Sequence, residues 1–239
     1  MLNFLQNILF EYFSNKEMST IVQIGANDGR INDPIYEAIK KFQNKTRILL
    51  IEPQANVIEY LKENYATHPC AAICCAAIGP HRNLTLYRLK PALYESFTRK
   101  YLKDSPTYRV PTGFTSAIKQ HVHNHIIGNL PADVKIEDAI EEMTVPCHQL
   151  IQIIRQLGWE AKGIDFLQID SEGMDDFIIK SSNIELLKPT LINFEHRHLP
   201  ANRLKSLFQY LNSLGYRTHA WNSDDTLAVL NGYKSHFFK

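Results

Sequence analysis

The stretch that most restricts this chain is "TIVQIGANDGRINDPIYEAIKKF", residues 20–42, where an apolar β-branched run passes through a glycine turn into helical spacing. A strand buried on both faces reads as such a run, and strand, turn and helix in that order open a βαβ unit. The pattern repeats. "RILLIEP" at 47–53 and "CAAICCAAI" at 70–78 are strand-like, and "NVIEYLKENY" between them carries apolar residues at helical spacing. Pro34 stands near a helix start, where its missing N–H costs nothing. Two right-handed crossovers and a parallel sheet are the consequence.

Beyond Gly79 and Pro80 the regularity breaks. "LTLYRL" alternates like an edge strand, and residues 91–136 are rich in Tyr, His, Pro and Lys without a clear period. This predicts an insertion, residues 80–146, lying over the sheet edge and carrying function. Regularity returns with helix "HQLIQIIRQLG" (148–158), strand "IDFLQID" (164–170), helix "MDDFIIKSS" (174–182) and strand "TLINFEH" (190–196). After helix "ANRLKSLFQYLNSLG", the strands "YRTHAW" and "TLAVLN" are joined by the short polar turn "NSDD", which makes them antiparallel neighbours.

The 239 residues suffice for one α/β domain spanning 1–239. In "MLNFLQNILFEYF", Leu2, Leu5, Ile8, Leu9 and Phe13 can share a helical face, so residues 1–19 read as a helix packing on the body and not as a signal peptide. No window reaches the ~18 uninterrupted apolar residues of a membrane span. With 26 Lys and Arg against 25 Asp and Glu, nothing in the charge favours nucleic acid, and a small molecule or glycan is the easier partner. Cys70, Cys74, Cys75 and Cys147 lack the paired spacing of a zinc site and read as buried free thiols of a cytoplasmic protein.

In an open α/β sheet a ligand sits beyond the carboxyl ends of the strands, where glycines let backbone N–H groups approach it. Gly25 and Gly29 flank "AND" at that place, but the spacing is G-x-x-x-G, and Asn27 stands where a dinucleotide fingerprint has its second glycine. Glu52, 23 positions after Gly29, ends the next strand and can accept hydrogen bonds from ribose hydroxyls. NAD and S-adenosylmethionine sites share that device. The lost glycine and the closing hairpin lean toward S-adenosylmethionine, which has no phosphate to seat; an NAD-linked oxidoreductase is the alternative.

"VQIGANDG", "LLIEP", "AAIG", "IDFLQIDSEGMDDFIIKS" and "INFEHRHL" together resemble the FkbM family of S-adenosylmethionine-dependent methyltransferases, in order from about residue 20 to 230. The resemblance implies a class I, Rossmann-like fold, a mostly parallel seven-stranded sheet ending in an antiparallel hairpin, and methylation of hydroxyls on sugars, glycolipids or natural products. Its positions give a cofactor-binding set of Gln23, Gly25, Asn27, Asp28, Gly29, Glu52, Pro53, Ala77, Ile78 and Asp170. Many class I enzymes have an acid where this chain has Gln23, so Asp28 or Asp170 is expected to supply the charge near the methionine part of the cofactor.

Methyl transfer to a hydroxyl needs the oxygen in line with the methyl, about 3 Å away, and a group to take the proton. Asp170, Glu195, His196 and His198 are the candidates, at the ends of two strands. On extended chain, residues two apart share a side, which pairs Asp170 with Glu172 and His196 with His198 and sends Arg197 the other way. Asp170, Glu195 and His196 could hold Mg²⁺ or Mn²⁺. The plainer readings make Asp170 a cap on the following helix and let Glu172 close its first turn. Thr115, Ser116, Glu172 and His121 are candidate acceptor contacts. His121 and His125 would share a helix face, but a solvated helix end explains "HVHNH" more simply than a metal cluster. Arg99, Tyr101, Tyr108 and Arg109 either flank a sugar ring or decorate the surface. Transfer to nitrogen or carboxylate would need a base less.

Overall fold

A computed structural model describes residues 3–101, 106–160 and 163–238, with the side chains of 99–101 left out. The chain opens with α1 (Phe4–Ser14), β1 (Ser19–Ile24), α2 (Tyr36–Lys41), β2 (Thr46–Ile51), α3 (Ile58–Asn64) and β3 (Ala71–Cys74). The middle segment holds β4 (Ala77–Ile78), β5 (Asn83–Leu89), α4 (Tyr94–Tyr101), α5 (Arg109–Gly113), α6 (Lys119–Ile126), α7 (Ile136–Ala139) and β6 (Ile140–His148). Then come α8 (Leu150–Gln156), β7 (Phe166–Ile169), α9 (Asp175–Ser181), α10 (Ile184–Leu187), β8 (Leu191–Glu195), α11 (Ala201–Ser213), β9 (Tyr216–Ala220) and β10 (Asp225–Leu230).

Seven strands form one sheet in the order β3-β2-β1-β7-β8-β10-β9. The pairs from β3 through β8 are parallel, and β10 slots antiparallel between β8 and β9, so the closing hairpin is present and its second strand is the inner one. The two-residue period of the strands divides their side chains between two cores. Val22, Ile24, Leu49, Leu167 and Phe194 face α8 to α11, while Ile21, Ile48, Leu50, Phe166 and Leu191 face α1, α2 and α3. Leu5, Ile8, Leu9 and Phe13 of α1 are fully buried in the second core, each contributing about 1.5–3 kcal/mol. Leu2 lies outside the described residues. Asn3 starts α1 with a reciprocal cap: its Oδ1 accepts from Gln6 N at 2.8 Å, and Gln6 Oε1 accepts from Asn3 N at 3.1 Å.

Register across the centre is fixed by a buried row of amides, Gln23 opposite Gln168 and Gln168 opposite Asn193. Asn193 Nδ2 donates to Gln168 Oε1 at 3.0 Å, and Trp221 Nε1 donates to Asn193 Oδ1 at 2.8 Å. A slip by one residue would separate these partners and bury them unpaired, at a cost of about 1–3 kcal/mol per group.

The middle segment departs from expectation. "CAAICCAAI" is not one strand: β3 is the edge of the main sheet, and β4 belongs to a three-stranded sheet β4-β6-β5. "LTLYRL" therefore pairs antiparallel with β6 and does not extend the main edge. Because β3 is an edge strand, the thiols around it are not all buried: Cys70 and Cys75 are exposed, Cys74 is intermediate, and Cys147 is buried.

Candidate active site

The turn after β1 is built around two glycines with different work. Gly25 has φ +76°, and a Cβ there would lie 1.7 Å from the carbonyl oxygen of Asp170. The end of β7 crosses directly over the turn, so only glycine fits. Gly29, φ +67°, is instead pressed against α3, where a Cβ would meet Leu61 Cδ1 at 2.6 Å and Tyr65 Cε2 at 2.7 Å. Asp28 is likewise spent within the protein: Oδ1 accepts from Arg30 N and Ile31 N, both at 2.9 Å, and Oδ2 from Tyr108 Oη at 3.1 Å. Neither Asp28 nor Gly29 is on the wall of the cavity described below, and the bonds of Asp28 and the packing of Gly29 support the turn.

Between the glycines Asn27 takes the left-handed conformation, φ +47°. Its backbone N–H donates to Glu52 Oε2 at 2.8 Å, while Glu52 Oε1 accepts from Gln54 N at 2.9 Å. Burial raises the Glu52 carboxyl above its ordinary range, and these two N–H groups pull it back down. Gln23 donates through Nε2 to Asp33 Oδ2 at 2.6 Å, and its Oε1 is buried without a hydrogen-bond partner among the described residues. Asp33 Oδ1 accepts from Ile35 N and Tyr36 N at 2.8 and 2.9 Å, at the start of α2. The carboxylate beside Gln23 is thus Asp33, not Asp28 or Asp170. In the sequence "NDPIY" it reads only as a helix start, which is why it was missed.

These groups open onto a cavity of about 540 Å³ at the carboxyl ends of β1, β2, β7 and β8, within the range of ligand pockets. Gln23, Gly25, Asn27, Asp33, Glu52 and Pro53 line it from the ends of β1 and β2, Asp170, Glu172 and Glu195 from the ends of β7 and β8, and Ala77 and Ile78 are also on its wall. The roof comes from α5 and the residues after it. Arg109 donates from Nε and Nη2 to Ile31 O at 3.0 and 2.7 Å; Asn27 Nδ2 donates to Thr112 Oγ1 at 3.1 Å. Thr115 Oγ1 donates to Gln54 Oε1 at 2.8 Å, and Ser116 Oγ to Glu172 O at 2.8 Å. Thr115, Ser116 and Arg109 all reach the wall, and Tyr108 stacks on Tyr60 with ring centres 4.0 Å apart. Arg99 and Tyr101 have side chains outside the described residues.

At the far end carboxylates crowd. Asp175 Oδ1 accepts from Glu195 N at 3.1 Å and Oδ2 from Ser171 Oγ at 2.8 Å, so it is Asp175, and not Asp170, that ties the start of α9. Burial, with repulsion from Asp170, Asp175 and Asp225, pushes Glu195 up to about 9, and its Oε2 is buried with no hydrogen-bond partner among the described residues. Burial and mutual repulsion also hold Asp170 and Glu172 well above the carboxylate range. Glu172 adopts φ +51°, the left-handed region that disfavours a side chain.

The histidines fall differently from the strand-spacing argument. Leu199 N donates to His196 O, so the chain turns after β8, and His196 and His198 part company. His196 Nδ1 lies 3.0 Å from Thr226 Oγ1 and its N donates to Asp224 O, on the β10 side. His198 Nε2 is 3.4 Å from Glu195 Oε1 and 3.6 Å from Glu172 Oε2. Arg197 stands at the cavity wall, 3.7 Å from Asp224. The expected metal set of Asp170, Glu195 and His196 does not converge. The groups that do are Glu172, Glu195 and His198, and His121, His125 and His198, in each case with donor atoms within 4.8 Å of one another. "HVHNH" is not simply a solvated helix end: His121 and Val122 are buried, His123 and His125 half-buried, and Asn124 is exposed, with His123 and Asn124 both beside Gln120.

No helix among the described residues is long and apolar enough to cross a membrane. A precorrin-6y C5,15-methyltransferase from Geobacter metallireducens is similar at 12% identity and TM-score 0.43, over 95% of this chain and 88% of that one. A ribosomal protein L11 methylase from Lactobacillus delbrueckii subsp. bulgaricus is similar at 12% and 0.39, over 94% and 76%. An S-adenosylmethionine-dependent methyltransferase from Aquifex aeolicus is similar at 9% and 0.40, over 95% and 88%. No curated protein matches the sequence. The methyltransferase FkbM domain, however, matches residues 23–218, from the strand before the glycine turn to the first strand of the closing hairpin. With that match over most of the chain and a sheet in this strand order, the chain belongs to the FkbM methyltransferase family and is an S-adenosylmethionine-dependent enzyme.

Proposed function

We propose that this enzyme methylates a hydroxyl group of a sugar, glycolipid or other polyhydroxylated small molecule. The observation that carries the reading is the polarity of the cavity. The ends of β1 and β2 and the turn after β1 offer Gln23, Asp33 and Glu52 for an ammonium and a ribose, and the end of β8 offers a carboxyl oxygen of Glu195 that is buried without a partner among the described residues. Gln23 Oε1, buried without a partner, fits a cofactor donor group, and Arg109 on the roof fits a carboxylate. S-adenosylmethionine, when bound, supplies the electrophilic methyl group.

The chain's own residues then have distinct tasks. Glu52 receives the ribose hydroxyls, since each of its oxygens keeps a lone pair beyond the one given to Asn27 N or Gln54 N. Thr115, Ser116 and Glu172 border the acceptor's approach. Glu195 takes the hydroxyl proton at its Oε2, with Asp170 beside it. Burial, with repulsion among neighbouring carboxylates, raises both carboxyls, and a cationic ligand lowers their proton affinity, readying the base when the site is filled. The whole chain acts as one unit in the cytoplasm, residues 80–146 covering the acceptor and residues 1–19 bracing the sheet.

The test is transfer of labelled methyl from S-adenosylmethionine to a panel of hydroxylated, amine and carboxylate acceptors, with S-adenosylhomocysteine binding measured alongside. Labelling confined to hydroxyl acceptors is the expected outcome. Labelling of amines or carboxylates alone would replace the acceptor class and leave the cofactor reading standing.

A further inference from the structure

Behind Glu172, off the cavity wall, α6 of the cover meets the loop after β8. The rings of His121 and His198 stand edge to face with centres 4.5 Å apart, and His121 and His125 are 4.4 Å apart. One donor atom from each of the three imidazoles lies within 4.8 Å of the others. His125 Nδ1 is 3.0 Å from the His121 carbonyl oxygen, to which it can only donate, so the lone pair of His125 is on Nε2. His125 is held flat against Phe114, at 5.3 Å and 9°.

A second observation points to a ligand. His121 is about nine-tenths buried, yet its Nε2 has no hydrogen-bond partner among the described residues. Glu172 Oε2 is only 2.8 Å away, but the pair lacks hydrogen-bond geometry. Two donor atoms that close and not aimed at each other are arranged as they would be around a shared ion. Adjacent ligands on an ion with bonds of ~2.1 Å stand about 3.0–3.4 Å apart.

We propose that His121, His125 and His198, with Glu172 as the carboxylate ligand, form a site for a divalent transition metal that fastens the cover to the rim of the sheet. Three imidazoles with one carboxylate suit Zn²⁺ or Co²⁺ and not Mg²⁺, which takes oxygen ligands and keeps its waters. Two ligands come from α6 and one each from the loops after β7 and β8, so a bound ion would hold the acceptor's roof and wall together. The role rests on the methyltransferase reading; the site does not.

The experiment uses the full-length, tag-free protein, stripped with chelator and titrated with ZnCl₂, CoCl₂ and MgCl₂. Expected are one equivalent of Zn²⁺ bound, visible absorption bands from one equivalent of Co²⁺, no saturable Mg²⁺ uptake, and a higher melting temperature with Zn²⁺. His125→Gln, on the half-buried side, and His198→Ala should each weaken Zn²⁺ binding more than about 100-fold while keeping S-adenosylhomocysteine affinity, which reports that they are folded. Absence of stoichiometric Zn²⁺ uptake by the wild type, undiminished uptake in both variants, or Mg²⁺ bound as tightly as Zn²⁺ would each overturn the site. Loss of S-adenosylhomocysteine binding by the wild type would count against the methyltransferase reading and leave the metal result standing.

Discussion

The two ends of the cavity treat their polar groups in opposite ways. At the glycine turn, Glu52, Asp33 and Asp28 are each held by two or three donors from the protein, and Gln23 Oε1 is the exception. At the ends of β7 and β8, Glu195 Oε2 is buried with no hydrogen-bond partner among the described residues, and Asp170, Glu172 and Glu195 repel one another. The first end is organised before its ligand arrives, which reduces the ordering needed on binding. The second is a set of crowded carboxyls that hold their protons above the ordinary range. Substitutions at the first end should therefore act on folding and cofactor affinity, and substitutions at the second on turnover.

The largest effect is expected at Gly25. A methyl group there would overlap the Asp170 carbonyl, so Gly25→Ala should destabilise the protein by about 4 kcal/mol or more, or abolish folding. Gly158→Ala is the control: φ is +69° but a Cβ would meet no described atom within 4 Å, leaving only the backbone cost of about 1–2 kcal/mol. Equal melting temperatures for the two variants would show that β7 does not cross the turn as described.

At the other end Glu195→Gln keeps the shape and removes the base. Turnover should fall by about 10²- to 10⁴-fold with S-adenosylhomocysteine affinity unchanged. A fall in affinity equal to the fall in turnover would erase the distinction between the two ends.

Asp33→Asn sharpens the comparison from the cofactor side. Removing a charge that faces an ammonium should weaken S-adenosylhomocysteine binding about 10- to 100-fold, measured by titration calorimetry. Burial raises the Asp33 carboxyl above its ordinary range, so protons compete with the cofactor at mildly acidic pH. Wild-type affinity should therefore increase with pH through that raised range, and the increase should be smaller in Asp33→Asn. An unchanged pH dependence would remove Asp33 from the cofactor's contacts.

How much of this could be read from the sequence depended on burial. β1, β2, β7, β8 and β10 start and end within two residues of their apolar runs because strands inside a covered sheet have little else in them, and the edge strand β9 is placed by the short turn that joins it to β10. β6 was missed because Glu141, Glu142 and Pro146 interrupt a strand that is half exposed and pairs outside the main sheet. At the site, Gly25 and Glu52 announce themselves by position at strand ends. Asp33 hides behind its use as a helix start, and Arg109 reaches the cavity from a segment with no period. His198 parts from His196 because the two-residue rule holds only while the chain stays extended, and a turn begins at His196.

The smallest effect belongs to the tie between the cover and the turn. Tyr108 donates to Asp28 Oδ2 at 3.1 Å, and Asp28 in turn fixes the N–H groups of Arg30 and Ile31. Tyr108→Phe keeps the stacking on Tyr60 and removes one hydrogen bond to a carboxylate. A loss of about 1–2 kcal/mol in stability is expected, with cofactor affinity reduced by less than in Asp33→Asn. Asp28 keeps its two backbone donors in this variant, so the turn itself should hold and only the cover should loosen. The acceptor KM should then rise more than the cofactor Kd. The reverse order would mean that α5 belongs to the cofactor's end of the cavity, and the boundary between the prepared half and the waiting half would have to be moved past the roof.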